Sequence, residues 1–255
     1  MIKNKIDSVI WFLKNPKYIP QIFQVLKRKK NNHLENTQSE ATEWCKQNSI
    51  SQQKALEKLV GSNSFKDLED LYPDKIKGAK DIANNCPVKM GGEGAVSFLY
   101  HLVNGSKSKT IIETGVAYGW SSFAILLAIK DVDNALLISN DMPYIKMNND
   151  DFVGCVIPEE LKGKWELQRQ PDIKGIPLAL KKMNNNIDLC HYDSDKSYTG
   201  RMWSAPILWA ALKKGGLFIS DDINDNLAFK HYCEEINRTP IIIEHQKKYV
   251  GIIQK

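Results

Sequence analysis

The chain has 255 residues, of which 42% are hydrophobic and 25% are charged. This composition is typical of a globular protein, because enough apolar surface is present to offset the chain entropy lost on folding. No stretch approaches the roughly 20 apolar residues that span a bilayer. The five cysteines include no CxxC pair. The sequence therefore argues against a zinc or dithiol site and favours a cytoplasmic protein.

The net charge of +5 is unevenly distributed. Residues 1–30 contain eight Lys and Arg residues and one Asp, a net charge of +7, which leaves −2 for the other 225 residues. A nucleic-acid-binding domain spreads its basic residues over the binding face, so this pattern argues against nucleic acid as a partner. We divide the chain into a basic amphipathic head (1–30), a linker and helical extension (31–89) and a main domain (90–255).

The head contains two short helical patterns, punctuated by Pro16 and Pro20. Residues 31–50 are rich in Asn, Gln and Ser, which is typical of a linker. A helix is expected over Ser51–Val60, and short helices and turns over 62–90. The helices expected in the main domain are Gly94–Val103, Ser121–Ile129, Ile176–Met183, Trp203–Leu212 and Leu227–Ile236. The expected strands are Thr110–Glu113, Ala135–Ser139, Trp165–Gln168, Ile187–Tyr192, Leu217–Ser220, Pro240–Glu244 and Tyr249–Ile253.

This alternation of strands and helices predicts an α/β fold with a doubly wound, Rossmann-like sheet. We expect seven mostly parallel strands, an antiparallel C-terminal strand and an N-terminal helical extension. Ligands of such sheets bind beyond the carboxyl ends of the strands. Four of the expected strand ends carry acids, namely Glu113, Asp141, Asp193 and the pair Asp221–Asp222. The sequence therefore predicts a binding site at this edge.

The turn after the first main-domain strand contains Glu113, Gly115 and Gly119 and leads into an apolar helix. The GxxxG spacing is not the GxGxxG of dinucleotide-binding turns, and no P-loop lysine follows. Here the chain resembles the class I S-adenosylmethionine-dependent methyltransferases, whose first motif is acid-x-Gly-x-Gly-x-Gly. Ala117 stands at the middle glycine, which narrows the space beside the cofactor by one methyl group.

The resemblance covers about residues 90–255 and implies S-adenosylmethionine as the cofactor. Asp141 corresponds to the acid that binds the ribose hydroxyls in this family, and Asp172 follows the third strand, where the family often has a polar residue near the adenine. The cofactor-binding residues implied are Glu113, Thr114, Gly115, Val116, Ala117, Tyr118, Gly119, Ser121, Ser122, Asp141 and Asp193.

Further acids follow the fourth and fifth strands. Asp193, Asp221 and Asp222 would form an oxygen-rich pocket of the kind that Mg²⁺ prefers, and without a cation they would repel one another. The pattern resembles the catechol and caffeoyl-CoA O-methyltransferases. It is closer to the sugar O-methyltransferases of macrolide and aminocoumarin antibiotic pathways. The resemblance implies that these three aspartates hold a divalent cation, with magnesium the expected ion, and that the acceptor is a sugar, a glycan or another vicinal diol.

Methyl transfer also needs a base that removes the proton of the acceptor hydroxyl. The candidates are Asp195, which the resemblance to the sugar enzymes implies, and Lys196. Each candidate has a plainer interpretation: Lys196 as a solvated loop lysine, and Asp221–Asp222 as the cap of the following helix. We interpret His191, which lies inside the fourth strand, as a packed core histidine.

The basic head is expected to dock on the main domain or a partner subunit. The alternative is the anionic inner face of the membrane. We also expect a homo-oligomer. Two other functions fit the same patterns: a methyltransferase-fold protein with different chemistry, of the cephalosporin-hydroxylase-like type, and a non-catalytic binding protein.

Overall fold

The computed structural model describes residues 10–19, 22, 32–143, 147 and 149–255. Most of the predicted head, including much of its two helical patterns, lies outside these residues. Within the head, residues 10–14 are helical and Pro16–Tyr18 form a 3-10 turn. No helix among the described residues is long and apolar enough to cross a membrane.

Between residues 32 and 89 the structure has five helices and one short strand. They are α1 (Asn32–Glu35), α2 (Gln38–Asn48), β1 (Ser49–Ile50), α3 (Gln52–Val60), α4 (Leu68–Leu71) and α5 (Pro73–Asn85). The prediction of a linker over residues 31–50 is therefore wrong. The polar composition of α2 hid this helix, because it buries only Ala41 and Cys45.

The main domain follows the expected alternation. Its elements are α6 (Val96–Ser106), β2 (Thr110–Thr114), α7 (Trp120–Ile129), β3 (Leu136–Asn140), β4 (Trp165–Gln168), α8 (Asp172–Lys182), β5 (Ile187–Tyr192), α9 (Tyr198–Ala211), β6 (Leu212–Ser220), α10 (Ala228–Glu235), β7 (Ile241–His245) and β8 (Lys248–Gln254). Short 3-10 turns cover Asp150–Phe152, Glu159–Lys164 and Ile223–Asp225.

The largest boundary error concerns β6. The glycine pair Gly215–Gly216, which follows the expected helix Trp203–Leu212, lies inside this strand, which begins at Leu212. Gly215 has a φ of +83° and pairs with the C-terminal residue, since its backbone N–H donates to the carbonyl oxygen of Lys255. The glycines therefore serve the irregular start of a strand and its pairing with the chain end. The preceding helix, α9, starts five residues earlier than expected.

The strands form one sheet of eight in the order β1-β7-β8-β6-β5-β2-β3-β4. All pairs are parallel except those that β8 makes with β6 and β7. This confirms the predicted fold class, and β1, paired with β7, is an eighth strand that the sequence analysis missed. The carboxyl ends of β2, β3, β5 and β6 meet at one edge, as the strand-end acids require.

Helices cover both faces of the sheet, and successive buried residues of β2 point to opposite faces. In β2, Ile111 packs with α3, α5, α6 and α7, whereas Ile112 packs on the opposite face with α8, α9 and α10. Residues of α3 and α5, such as Leu56 and Ile76, belong to the same core as the sheet. The helices before residue 90 are thus integral to the hydrophobic core of the main domain.

Two helical glycines make a matched test of this packing. A Cβ at Gly175 in α8 would lie 1.8 Å from Oδ1 of Asn140 at the end of β3, whereas a Cβ at Gly78 in α5 would have no atom within 4 Å. We expect Gly175→Ala to lower the free energy of unfolding by about 1–3 kcal/mol through overpacking. We expect Gly78→Ala to raise it by about 0.5–1 kcal/mol through reduced backbone entropy. Urea denaturation measures both, and a stable Gly175→Ala variant would contradict the tight α8–β3 contact.

Candidate active site

A cavity of about 1010 Å³ opens at the carboxyl ends of the central strands. One end is lined by the glycine turn after β2 and by the 90–95 loop, and the other by the ends of β5 and β6 and the β7–β8 hairpin. Its volume is at the upper end of the range of roughly 300–1,000 Å³ that is usual for small-molecule sites. The cavity therefore has room for a cofactor and part of an acceptor together.

The glycine turn is shaped by close backbone contacts. Gly115 has a φ of +80°, and a Cβ there would lie 2.3 Å from the carbonyl oxygen of Asp193. Gly119 has a φ of +94°, and a Cβ there would lie 2.8 Å from Cα of Gly154. Ala117, at the family's middle glycine, also has a positive φ of 50°. A left-handed backbone favours glycine, the residue that the resemblance would place at this position.

Asp141 holds the turn in place. Its Oδ2 accepts hydrogen bonds from the backbone N–H groups of Val116 (2.7 Å) and Ala117 (3.1 Å), and its Oδ1 pairs with the guanidinium of Arg169. Arg169 also reaches Oδ1 of Asp150 at 3.0 Å. Asp141 lines the cavity, as its predicted contact with a ribose requires, but in this structure it also organises the backbone of the turn.

The predicted cofactor-binding residues fall into two groups. Some are buried behind the cavity wall or packed within the turn: Glu113, Thr114, Gly119 and Ser122. The others line the cavity: Gly115, Val116, Ala117, Tyr118, Ser121, Asp141 and Asp193. Asp172 also lines it, together with residues that the sequence analysis did not select, such as Met90 and Trp120.

A buried charge cluster of Glu113, His191 and Asp221 lies at the carboxyl ends of β2, β5 and β6, beside the cavity. His191 stands between two acids, with Nδ1 3.5 Å from Oε1 of Glu113 and Nε2 3.4 Å from Oδ1 of Asp221. Burial lowers the pKa of His191, but the two carboxylates outweigh this effect and raise the pKa well above its ordinary value. His191 is 3% exposed, as the sequence analysis expects for a packed strand histidine, and it also lines the cavity.

The two remaining acids at the ends of β5 and β6, Asp193 and Asp222, pair with two lysines. We call this surface, together with Asp221 and His191, the charged wall. The ammonium of Lys196 lies 2.9 Å from Oδ1 of Asp193 and also pairs with Oδ2 of Asp222. Lys248 lies 3.1 Å from Oδ1 of Asp222. The pKa of Asp222 is lowered, because these two lysines outweigh the effect of burial. By contrast, burial and the nearby Asp221 raise the pKa of Asp193 to about 6.

The three aspartates predicted to bind a metal thus face three cations of the protein itself. Asp193 and Asp222 share Lys196, and Asp221 pairs with His191. In the part of the chain that the structure describes, no group of three or more His, Cys, Asp or Glu side chains is placed to hold a metal ion. The carboxylates as arranged do not fit a divalent cation, because Lys196 and Lys248 occupy both oxygens of Asp222 and Lys196 also occupies Oδ1 of Asp193.

The two predicted bases differ in their surroundings. Burial lowers the pKa of Lys196, but Asp193 and Asp222 outweigh it and raise the pKa above its ordinary value, so this lysine is an ammonium ion at neutral pH. An ammonium ion cannot accept a proton. Asp195 lines the cavity, and its Oδ1 accepts hydrogen bonds from the backbone N–H (3.1 Å) and hydroxyl (2.7 Å) of Ser197.

Buried Arg201 ties the two acid-bearing loops together. Its guanidinium donates to the carbonyl oxygens of Asp221 (2.8 Å), Asp222 (3.0 Å) and Lys196 (3.4 Å) and to the hydroxyl of Ser220 (2.6 Å). The carbonyl groups at the ends of β5 and β6 are therefore held by a single side chain from α9. This arrangement fixes the spacing of the two loops.

The segment before α2 adds a second set of ties. The carboxylate of Glu35 accepts hydrogen bonds from the backbone N–H groups of Tyr198 (2.7 Å) and Thr199 (3.2 Å), at the start of α9. The hydroxyl of Thr37 accepts a hydrogen bond from the N–H of Leu227 at 3.0 Å, beyond the β6 loop. Both loops are thus anchored from residues 35–37, over a sequence separation that no local pattern reveals.

The described part of the head also contacts the site. Phe12 and Ile22 line the cavity, and Tyr18 is 2% exposed, with its hydroxyl 3.4 Å from the carbonyl oxygen of Arg169. Trp11 stacks on Tyr18, with ring centroids 5.3 Å apart. These residues therefore pack on the main domain beside the cavity.

Comparisons with known proteins agree with this geometry. Residues 112–223 match a protein-family model described as a methyltransferase domain. A search of the curated proteins finds no match. Among solved structures, the chain is similar to an O-methyltransferase from Bacillus cereus in complex with SAH, at 14% identity and a TM-score of 0.53, over 80% of this chain and 96% of that one.

Two further structures have the same fold. The O-methyltransferase TomG from Streptomyces achromogenes, involved in tomaymycin synthesis and solved with SAM, is 12% identical with a TM-score of 0.56, over 81% of this chain and all of that one. A methyltransferase from Geobacter sulfurreducens is 15% identical with a TM-score of 0.52, over 71% of this chain and 90% of that one. At identities this low, structural similarity establishes the fold alone.

The match to a methyltransferase domain is confined to residues 112–223. The fold of the chain is the one seen in solved O-methyltransferases, as the sequence analysis predicts.

The anchoring by Glu35 is testable by substitution. Glu35→Ala removes the acceptors for two N–H groups at the start of α9, and we expect the free energy of unfolding to fall by about 1–2 kcal/mol. Methyl transfer should fall about tenfold, while affinity for S-adenosylmethionine stays unchanged. Glu57→Ala, an exposed acid within α3, is the matched control. Equal behaviour of the two variants would show that the anchor has no effect on the loops.

Asp172 generates a prediction for pH. Burial raises its pKa to about 6, although hydrogen bonds from Ser194 and Asn140 (3.0 Å) partly oppose this effect. The folded protein therefore keeps the proton of Asp172 to a higher pH than the unfolded chain, in which the pKa of this carboxyl is about 3.9. The free energy of unfolding should fall by about 3 kcal/mol as the pH rises from about 4 to above 6.

Denaturation of the cofactor-free protein across this pH range measures the effect. In Asp172→Asn, the decrease between about pH 4 and 6 should be smaller by that amount, because the titrating group is gone. Asp133→Asn, an exposed acid, should keep the wild-type profile. An unchanged profile in Asp172→Asn would contradict the raised pKa.

Proposed function

We propose that this protein transfers the methyl group of S-adenosylmethionine to a hydroxyl oxygen of a small polyhydroxylated acceptor, such as a sugar, a glycan unit or another vicinal diol. The observation that carries this proposal is that one continuous cavity is lined both by the glycine turn and by the charged wall at the ends of β5 and β6. A methyltransferase must hold the donor and the acceptor side by side, and this cavity offers a distinct surface for each.

The end at the glycine turn suits the cofactor. Its backbone approaches the cavity closely at Gly115 and Ala117, and α7 begins beside it. Asp141 can meet the ribose, and Asp172 can meet the adenine. S-adenosylmethionine supplies a sulfonium methyl with a good leaving group, so the protein has to align the acceptor and accept its proton.

The charged end suits a hydroxylated acceptor. Carboxylates accept hydrogen bonds from hydroxyl groups, and the ammonium of Lys196 stabilises negative charge that develops on the acceptor oxygen. We assign the role of base to Asp193, because its raised pKa of about 6 lies near the working pH at which a base is most efficient. Asp195, which the resemblance implies, is the second candidate.

We propose that this transfer does not depend on a divalent cation. The charges of Lys196, Lys248 and His191 offset most of the negative charge of the three aspartates and Glu113, which is the role that magnesium was predicted to fill. The metal-assisted reaction predicted from sequence is the alternative. It requires that a cation displace Lys196 from Asp193 and Asp222.

The test combines binding with turnover. Calorimetry should detect binding of S-adenosylmethionine, and a labelled methyl group should pass to members of a panel of methyl glycosides, inositol and catechol. Asp193→Asn should reduce turnover by about 10²–10⁴-fold, whereas Asp133→Asn should not. The rate should rise with pH up to about 6 and then level off.

Each arm can fail separately. Absence of S-adenosylmethionine binding would overturn the proposal and favour a binding protein of another kind. Binding without transfer to any member of the panel would favour different chemistry on the same fold. Loss of turnover on treatment with a chelator, restored by Mg²⁺, would support the metal-assisted alternative.

The cellular setting is also a proposal. The cysteines are all unpaired, which suits a reducing compartment such as the cytoplasm. We propose that the head contacts this domain or a second subunit, because its described residues already pack beside the cavity. Gel filtration of the intact chain would report whether it forms the expected homo-oligomer.

A further inference from the structure

The hairpin between β7 and β8 reaches the mouth of the cavity. His245 and Lys248 form the last pair of the ladder, so the loop between them has two residues, Gln246 and Lys247. His245, Gln246 and Lys248 line the cavity. We call residues 245–248 the hairpin tip. Its place at the charged end of the cavity puts it on the acceptor side of the site that we propose above.

The backbone of the hairpin tip is unusual for its sequence. Gln246 and Lys247 have φ angles of +50° and +66°. A two-residue type I′ turn requires a positive φ at both of these positions. Such turns strongly prefer Asn-Gly, because other side chains disfavour a positive φ. Elsewhere in the described chain most of the left-handed non-glycine positions are asparagines: Asn134, Asn184, Asn185 and Asn237.

Backbone strain of this kind clusters at active sites and ligand-binding sites. Gln246 carries an amide that can both donate and accept hydrogen bonds, and His245 carries an imidazole that can do the same. Hydroxyl groups also donate and accept, so these two side chains match a polyhydroxylated molecule. Lys248 is bound to Asp222 at 3.1 Å, which attaches the hairpin tip to the wall that we assign to the reacting hydroxyl.

We propose that the hairpin tip is the acceptor-recognition element of this protein, with Gln246 as its main specificity-determining residue. The inference rests on the proposed function. It adds that the hydroxyl groups of the acceptor that do not react are bound by the amide of Gln246 and the imidazole of His245. On this inference the Gln246–Lys247 pair serves acceptor binding at the expense of turn stability.

The test variant is the double substitution Gln246→Asn with Lys247→Gly, which installs the preferred turn and withdraws the amide from the cavity by one methylene. Lys107→Gly is the matched control. Lys107 is an exposed lysine with a φ of +57° at the end of α6, and it does not line the cavity. Both variants should raise the Tm by about 2–4 °C, because glycine removes the steric cost that a side chain imposes on a left-handed backbone.

The probes are methyl α-D-glucopyranoside, methyl α-L-rhamnopyranoside and myo-inositol, titrated by NMR into the protein with S-adenosylhomocysteine bound. We expect wild type and Lys107→Gly to bind at least one probe equally. The double variant should bind it about tenfold more weakly, as expected for the loss of one hydrogen bond. Affinity for S-adenosylhomocysteine should be the same in all three proteins.

Two results would overturn the inference. The first is equal probe affinity of wild type and the double variant, which would leave the hairpin tip without a role in recognition. The second is the absence of binding of all three probes to wild type. Methyl transfer to catechol in that case would leave the proposed function standing, whereas failure to bind S-adenosylhomocysteine would mark the failure of the proposed function itself.

Discussion

The site depends on the balance of charge at the carboxyl ends of β5 and β6. Three aspartates in one wall would repel one another strongly without cations beside them. The protein supplies these cations itself: Lys196 between Asp193 and Asp222, Lys248 at the rim, and His191 beside Asp221. With Glu113, which also faces His191, four carboxylates meet three cations, so most of the negative charge of the wall is offset as folded. The wall combines proton acceptors with a fixed positive charge next to the place where an acceptor oxygen would lie.

This balance requires that the two acid-bearing loops keep a constant spacing, and several distant elements contribute to it. Arg201 binds carbonyl groups of both loops from α9. Glu35 and Thr37 anchor the residues that follow each loop. The segment before the sheet is thus part of the site, although it precedes the methyltransferase match, which begins at residue 112. Stability and reaction geometry are linked through the same hydrogen bonds.

The fold could be predicted from sequence because it follows from local signals. Alternating hydrophobic strands and helices identified the parallel sheet, and Gly115 marked the turn. The helix α2 was missed because it buries little apolar surface. At the site, the acids were found from their positions at strand ends. Their pairing with Lys248 and the anchoring by Glu35 join residues far apart in sequence, and such contacts leave no spacing pattern. His191 is buried in its strand, as expected, but the sequence does not show that Glu113 and Asp221 flank its ring.

The most direct test of the charge balance is Mn²⁺ binding, followed by electron paramagnetic resonance, in wild type and in Lys196→Met with S-adenosylhomocysteine bound. If the ammonium of Lys196 fills the place of a cation between Asp193 and Asp222, wild type should show no stoichiometric Mn²⁺ site, and the variant should gain one. One tightly bound Mn²⁺ per chain in wild type, lost in Asp193→Ala, would contradict the account and restore the metal site to the centre of the mechanism.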